Sequence, residues 1–163
     1  MSKPLKTLGP VGESYAATGA IEVRRAMKAP AKAVWAALLD AQAWTEWLPI
    51  TKVTWTSGQP FGVGTTRTVE IGSAVVEEVF FAWDEGARMA FRFDRTSLPV
   101  KAAIEDYRVV PTAEGCELVW RGKASAPLGL GWLIGRQLAS GIRAGLPKLE
   151  ALIAADPRRF GAD

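Results

Sequence analysis

The sequence predicts an α+β domain in which a curved, seven-stranded antiparallel sheet wraps around one long C-terminal helix. Three observations carry this expectation. An alternating apolar run begins at Ile21, six strand-like runs separated by turn residues fill the middle, and an apolar stripe of helical period closes the chain. Two short helices are expected between the first strand and the second.

Each element follows from a change of period. In the first strand Ile21, Val23 and Met27 share one parity, while Glu22, Arg24 and Lys28 share the other, the alternation of a half-buried strand. Pro30 then suits the first turn of a helix, and "AKAVWAALLD" places Val34 with Leu38 and Trp35 with Leu39 at fourfold spacing. "AQAWTEW" continues as a second short helix until Pro49 stops it.

Six runs come next: "TKVTWTSG", "GTTRTVEIG", "AVVEEVFFAW", "ARMAFRF", "VKAAIEDYRVV" and "CELVWRGKAS". Their separators "GQPFGVG", "GS", "DEG" and "PTAEG" supply turn residues, and such a succession reads as an antiparallel meander. From Leu130 to Ala154 the residues Leu130, Ile134, Leu138, Ile142, Leu146, Leu149 and Ile153 recur three or four apart. A helix of roughly 23 residues would span about 35 Å, enough to cross a sheet.

The chain's 163 residues fit one domain, expected over 19–155, with a loosely held N-terminal segment (1–18) and C-terminal tail (156–163). Hydrophobic residues make up 48% and charged residues 23%, close to globular averages, which excludes wholesale disorder. Twenty basic against 17 acidic side chains give a net charge of +3, scattered rather than gathered on one face, so nucleic acid is not an expected partner. No apolar run approaches the ~18 residues of a spanning helix, and the N-terminus lacks a signal peptide's apolar centre. A cytoplasmic protein without integral membrane contact is expected, its oligomeric state left open.

The absence of histidine removes Ser-His-Asp and Cys-His catalysis and histidine-ligated metals. Cys116, the only cysteine, has no histidine to activate it and reads as an inert small residue. "GQPFGVG" and "GLGWLIG" lack the context of a dinucleotide or phosphate loop. No cofactor and no metal are expected.

The element order, together with "APAKAVWAALLDAQAWTEWLP", resembles the START-like helix-grip superfamily, also called SRPBCC, and its polyketide cyclase/dehydrase-like bacterial members. The resemblance covers about Gly19 to Ala154. In that family a proline-led helix with "VW" and a leucine pair follows strand one, and a "W..W.P" stretch leads into strand two. Here these are Val34, Trp35, Leu38, Leu39, Trp44, Trp47 and Pro49. The pattern is not a catalytic signature, because the fold hosts lipid carriers, cyclases, oxygenase subunits and hormone sensors.

Three tryptophans in one short segment can serve in two ways. Trp35, Trp44 and Trp47 can wedge the gap between helix pair, sheet and long helix, since indoles bury much area with one donor to satisfy. Alternatively, Trp47 and Leu48 line a ligand portal. Four glycines of the long helix, Gly131, Gly135, Gly141 and Gly145, permit either close packing or empty volume.

A mainly apolar cavity between helix and sheet is expected, bounded by Trp47, Val69, Ile71, Phe81, Phe91, Phe93, Leu118, Trp120, Ile134, Leu138 and Ile142. Charged residues that share parity with apolar neighbours are candidates for its polar contacts: Glu77, with Glu78 as fallback, and Arg25 or Arg67. Each could instead reach solvent at a strand end, or a β-bulge could reset the parity. Between Glu105 and Asp106 the alternation is too poor to choose.

Two function classes follow. One is a binder or carrier of a small hydrophobic molecule, such as the lipid, isoprenoid or polyketide-like compounds that the resemblance implies. The other is a cyclase, aromatase or dehydratase in which a carboxylate or arginine handles protons or enolate charge. A third, a co-chaperone-like interaction module, requires a large exposed apolar patch and a closed cavity.

Overall fold

The computed structural model describes residues 3–163. Strands β2 (Ile21–Met27), β3 (Lys52–Trp55), β4 (Thr66–Ile71), β5 (Ala74–Asp84), β6 (Arg88–Thr96), β7 (Ala102–Thr112) and β8 (Gly115–Ser125) form one sheet in the order β2-β8-β7-β6-β5-β4-β3. Every neighbouring pair is antiparallel. Two short helices, α2 (Ala31–Leu39) and α3 (Ala41–Trp47), separate β2 from β3, and the long helix α4 (Gly131–Ala155) packs on β2, β8 and α3. This is the expected helix-grip architecture. No helix among the described residues is long and apolar enough to cross a membrane.

Asp40 makes the break between α2 and α3. Its carboxylate accepts hydrogen bonds from the Gln42 and Ala43 amides at 2.9 and 3.1 Å, satisfying the free N–H groups that open α3. The same carboxylate accepts from Arg159 Nε at 2.9 Å, while Arg159 Nη1 reaches Glu46 at 2.8 Å. Phe160 beside it is only 3% exposed. The C-terminal tail, expected to be loosely held, is thus tied to the helix pair.

Residues 3–18 of the N-terminal segment are likewise attached to the sheet, and residues 1–2 lie outside the described residues. A two-residue strand β1 (Lys6–Thr7) pairs with Thr96 and Arg95 of β6, beyond the point where β6 leaves β7. A short helix α1 (Glu13–Ala16) lies on the outer face of the sheet. There Glu13 pairs with Arg88, Tyr15 Oη bonds Ser125 Oγ at 2.6 Å, and Lys123 and Arg121 donate to backbone carbonyls of α1. Apolar periodicity could not show these attachments, which are largely polar.

The glycines of α4 divide between the two roles left open for them. A Cβ on Gly145 would stand 2.7 Å from both the Trp47 carbonyl oxygen and Leu48 Cδ2, so α3 packs directly on the helix backbone. A Cβ on Gly141 meets nothing within 4 Å. Gly145→Ala is therefore expected to destabilise by about 1–3 kcal/mol through overpacking, despite alanine's better helix propensity. Urea unfolding checks this, and a stabilised variant would contradict the close approach.

Candidate functional site

The concave side of the sheet is filled at its centre and open toward one end. At the centre sits an ion pair. Arg67 on β4 and Glu78 on β5 stand opposite each other in the strand register, 1% and 4% exposed, with Nε and Nη2 both 2.6 Å from Oε2 of Glu78. The Arg67 guanidinium carbon lies 4.5 Å from the ring centre of Trp44, 4.8 Å from Phe91, and 5.3 Å from both Trp55 and Phe80. Nη1 is buried without a hydrogen-bond partner. Four π faces take the place of water around the cation.

Glu77, the favoured anchor, points the other way: it lies on the outer face and pairs with Arg95 at 3.1 Å. Against β4 the β5 strand is regular, so Val76, Glu78 and Phe80 alternate inward and are buried, while Glu77 and Phe81 lie on the other parity. Apolar residues occupy both parities, and Phe81 packs beside Gly12 on the outer face, so the inward line is not the one expected. The irregularity opposite Glu77 and Glu78 places its extra residue, Asp94, on β6, and the one at Phe81 comes after Phe80. The parity expected for Glu77 and Phe81 is thereby corrected.

Beside the cage, Glu105 of β7 supplies a second inward carboxylate. Gly122 of β8 lies opposite it, and a Cβ there would stand 2.2 Å from the Trp120 ring. The missing side chain lets the Trp120 indole fold over Gly122 and donate from Nε1 to Glu105 Oε1 at 2.8 Å. Tyr107, two residues on and hence on the same face, donates its hydroxyl to the same oxygen at 3.1 Å. Burial raises the Glu105 carboxyl above its usual range, opposed by these two donors and by the charge of Arg67.

Glu105 opens onto a cavity of about 360 Å³ between α4 and the loops at that end of the sheet. Its walls are Leu48, Pro49 and Ile50 after α3, Ile71 of β4, Leu98, Pro99 and Val100 between β6 and β7, and Ile134, Gln137, Leu138, Gly141 and Ile142 of α4. Among the described residues, Glu105 and Gln137 are the only polar side chains in that lining. One hydrogen-bonding carboxyl in an aliphatic chamber is the usual form of a small-molecule site.

Among the residues expected to bound a cavity, Ile71, Ile134, Leu138 and Ile142 line this one. Val69, Phe91, Phe93, Leu118 and Trp120 face inward but are packed solid in the core. Trp47 is 1% exposed and packs tilted against Trp44 with ring centres 5.1 Å apart, a wedge, whereas its neighbour Leu48 reaches the cavity. Trp35 is also a wedge, edge-on to Trp83 and donating to Glu85. Arg25 faces α4 and pairs with Glu150 at 2.9 Å, away from the chamber. Cys116 is buried and its thiol is pushed up by burial and by the Glu150 charge, which keeps it unreactive.

Sequence reasoning left Glu105 undecided for a physical reason. Both faces of β7 are covered, so Ile104 and Asp106 on the outer face are as buried as Ala103 and Tyr107 on the inner. Asp106 is enclosed by Arg88 and Arg108 beneath α1. The available signal was Tyr107, an aromatic in phase with Glu105.

The Glu78 carboxyl is pushed up from 4.5 to about 7, because burial outweighs the Coulombic attraction and hydrogen bond of Arg67. A carboxyl that holds its proton more tightly when folded stabilises the fold below its unfolded value and loses that contribution as pH rises through the folded one. The stability of the wild type relative to Glu78→Gln is thus expected to fall between pH 4.5 and about 7. The drop should be on the order of 3 kcal/mol in urea unfolding at stepped pH. A difference that rises over that window would contradict the raised carboxyl.

Comparison with known proteins fits this geometry. The model of the family described as polyketide cyclase / dehydrase and lipid transport matches residues 18–154. An uncharacterized protein of Mycobacterium tuberculosis is 54% identical over 86 residues, 51% of this chain and 52% of that protein, so the chain spans about half the length of this curated relative. Among solved structures, a START superfamily protein from Mycobacterium smegmatis superposes with a TM-score of 0.67 at 12% identity, covering 84% of this chain and 99% of that one. Ara h 8.0201 superposes with a TM-score of 0.69 at 12% identity, covering 84% and 98%. The match over 18–154 establishes that this chain belongs to the polyketide cyclase/dehydrase and lipid transport family, and the superpositions show that it shares its fold with the START superfamily protein.

Proposed function

We propose that the protein binds one small, largely apolar molecule in the cavity beneath α4, with Glu105 accepting a hydrogen bond from a ligand hydroxyl. The observation that carries this reading is the aliphatic chamber of about 360 Å³ ending on a carboxyl that Tyr107 and Trp120 hold in place. Both donors occupy Oε1, which leaves Oε2 for a ligand. The family's lipid-transport members support a carrier of lipid, isoprenoid or polyketide-like molecules.

Native mass spectrometry of freshly purified protein, followed by extraction, tests the proposal. One bound small molecule per chain is expected. Glu105→Gln should change affinity for that molecule by about tenfold to a hundredfold, the effect of one altered buried polar contact. Unchanged affinity would remove Glu105 as the anchor.

One observation favours a second reading, catalysis of the cyclase or dehydratase kind. Burial raises the Glu105 carboxyl above its usual range, and a phenol stands beside it, as a general acid would require. In that case Glu105→Gln lowers turnover by about 10² to 10⁴ and leaves binding nearly intact. The open chamber counts against the closed interior that an interaction module requires.

A further inference from the structure

The turn from β8 into α4 exposes apolar side chains that the core does not use. Among the described residues, four of the seven large exposed apolar side chains fall within six positions: Leu128 is 94% exposed, Leu130 47%, Trp132 61% and Leu133 41%. Leu128 also holds φ 59° and ψ 25°, the one left-handed non-glycine residue among those described. That conformation is disfavoured for a residue with a Cβ, and a side chain so exposed gains little packing to offset it. With Gly129 at φ 70°, the backbone turns so that Leu128 stands clear of the protein.

The charged residues that flank this tip in the sequence are of one sign. From Gly122 to Leu149 the chain carries Lys123, Arg136, Arg143 and Lys148 and no Asp or Glu. Arg136 and Arg143 are exposed on α4, with the Arg136 guanidinium carbon 5.7 Å from the Trp132 ring centre, and Lys101 is exposed on the neighbouring loop. A groove along the tip shares Pro99 and Ile134 with the cavity wall, so the apolar surface runs on to the mouth of the chamber.

We propose that this tip docks the protein on an anionic lipid surface. Leu128 and Trp132 enter the boundary between headgroups and acyl chains, Arg136 and Lys101 lie among the headgroups, and the cavity mouth faces the bilayer. A protruding leucine suits a medium that can be penetrated, and indole beside arginine suits an interface that is apolar on one side and charged on the other. A second copy of the chain is disfavoured as occupant, because tip-to-tip pairing sets the two basic clusters against each other. The proposal rests on exposed side chains alone and stands whether or not the cavity holds a ligand.

Sedimentation of the full chain with vesicles tests it. Association is expected with equal parts phosphatidylcholine and phosphatidylglycerol, weakened by salt and much weaker with phosphatidylcholine alone. Leu128→Ser and Trp132→Ser should each lower partitioning by about tenfold or more, with unchanged thermal unfolding because both sites are exposed. Arg136→Gln should weaken binding to anionic vesicles only. Brominated lipids should quench the wild type's tryptophan fluorescence more than that of Trp132→Phe. No association with anionic vesicles at low salt, or equal association of wild type and both serine variants, overturns the proposal. A dimer in sedimentation equilibrium that Leu128→Ser abolishes would assign the tip to a second copy and overturn it as well.

Discussion

Arg67→Met is expected to lower the unfolding free energy by about 3 kcal/mol or more. The substitution keeps an apolar stem among Trp44, Trp55, Phe80 and Phe91 but strands Glu78, which is 4% exposed and has its Oε2 held by two nitrogens of Arg67. Without the guanidinium the carboxyl must stay protonated in an apolar setting or ionise without a partner, and both cost free energy. The cage also loses its cation, since no other basic side chain lies over those four rings.

Adding Glu78→Leu should recover most of the loss, because the pair owes its favourable energy to mutual neutralisation after an expensive desolvation. A double-mutant cycle by urea unfolding reads this directly. Single effects that simply add in the double variant would show that the pair is not coupled. The cycle also bears on function. Arg67 opposes the raised carboxyl of Glu105, so without it the Glu105 titration seen by carbon NMR should move further upward.

Gly141→Phe is expected to abolish ligand binding, a loss of at least about a hundredfold, while leaving the fold intact. Gly141 lines the cavity and is the α4 glycine above open volume, so a large side chain there fills the chamber. Gly141→Ala serves as the control. It should leave most of the volume free and stabilise α4 by up to about 1 kcal/mol through helix propensity. Binding retained by the phenylalanine variant, with its fold confirmed by circular dichroism, would place the ligand elsewhere.

The architecture was legible because each element carries a clear period. β2 alternates, α4 keeps an unbroken apolar stripe, and the strand runs are bounded by turn residues. The tryptophan segment was also readable as wedges, since Trp47 sits where α3 meets α4 and Trp44 fills the gap between α3 and the sheet beside Tyr107 and Arg67. Alternation failed where the sheet is covered on both faces. On β5 the apolar residues Val75, Val79 and Phe81 stand on the outer parity and Val76 and Phe80 on the inner, so the pattern did not tell Glu78 from Glu77 or Phe80 from Phe81. On β7 the outer cover of α1 buried Ile104 and Asp106 and hid the inward line of Glu105 and Tyr107.

The cavity was misjudged in extent for a related reason. Strand parity tells which side chains face inward but not whether they meet. Phe91, Leu118 and Trp120 all face inward and close on one another, and the open volume lies beyond them, against loop residues such as Leu98 and Pro99. Those residues have no period to read. Gln137, the second polar side chain of the lining, was passed over because it sits one position away from the apolar stripe, at the edge of the helix face.

The most direct test is a methyl NMR titration with the neutral dye N-phenylnaphthylamine. The expected result is saturation at one dye per chain, with the largest shifts at the methyls of Ile71, Leu98, Ile134, Leu138 and Ile142, which surround the chamber. Absence of saturation, or shifts confined to Leu128, Leu130 and Leu133 on the exposed tip, would contradict a binding cavity beneath α4.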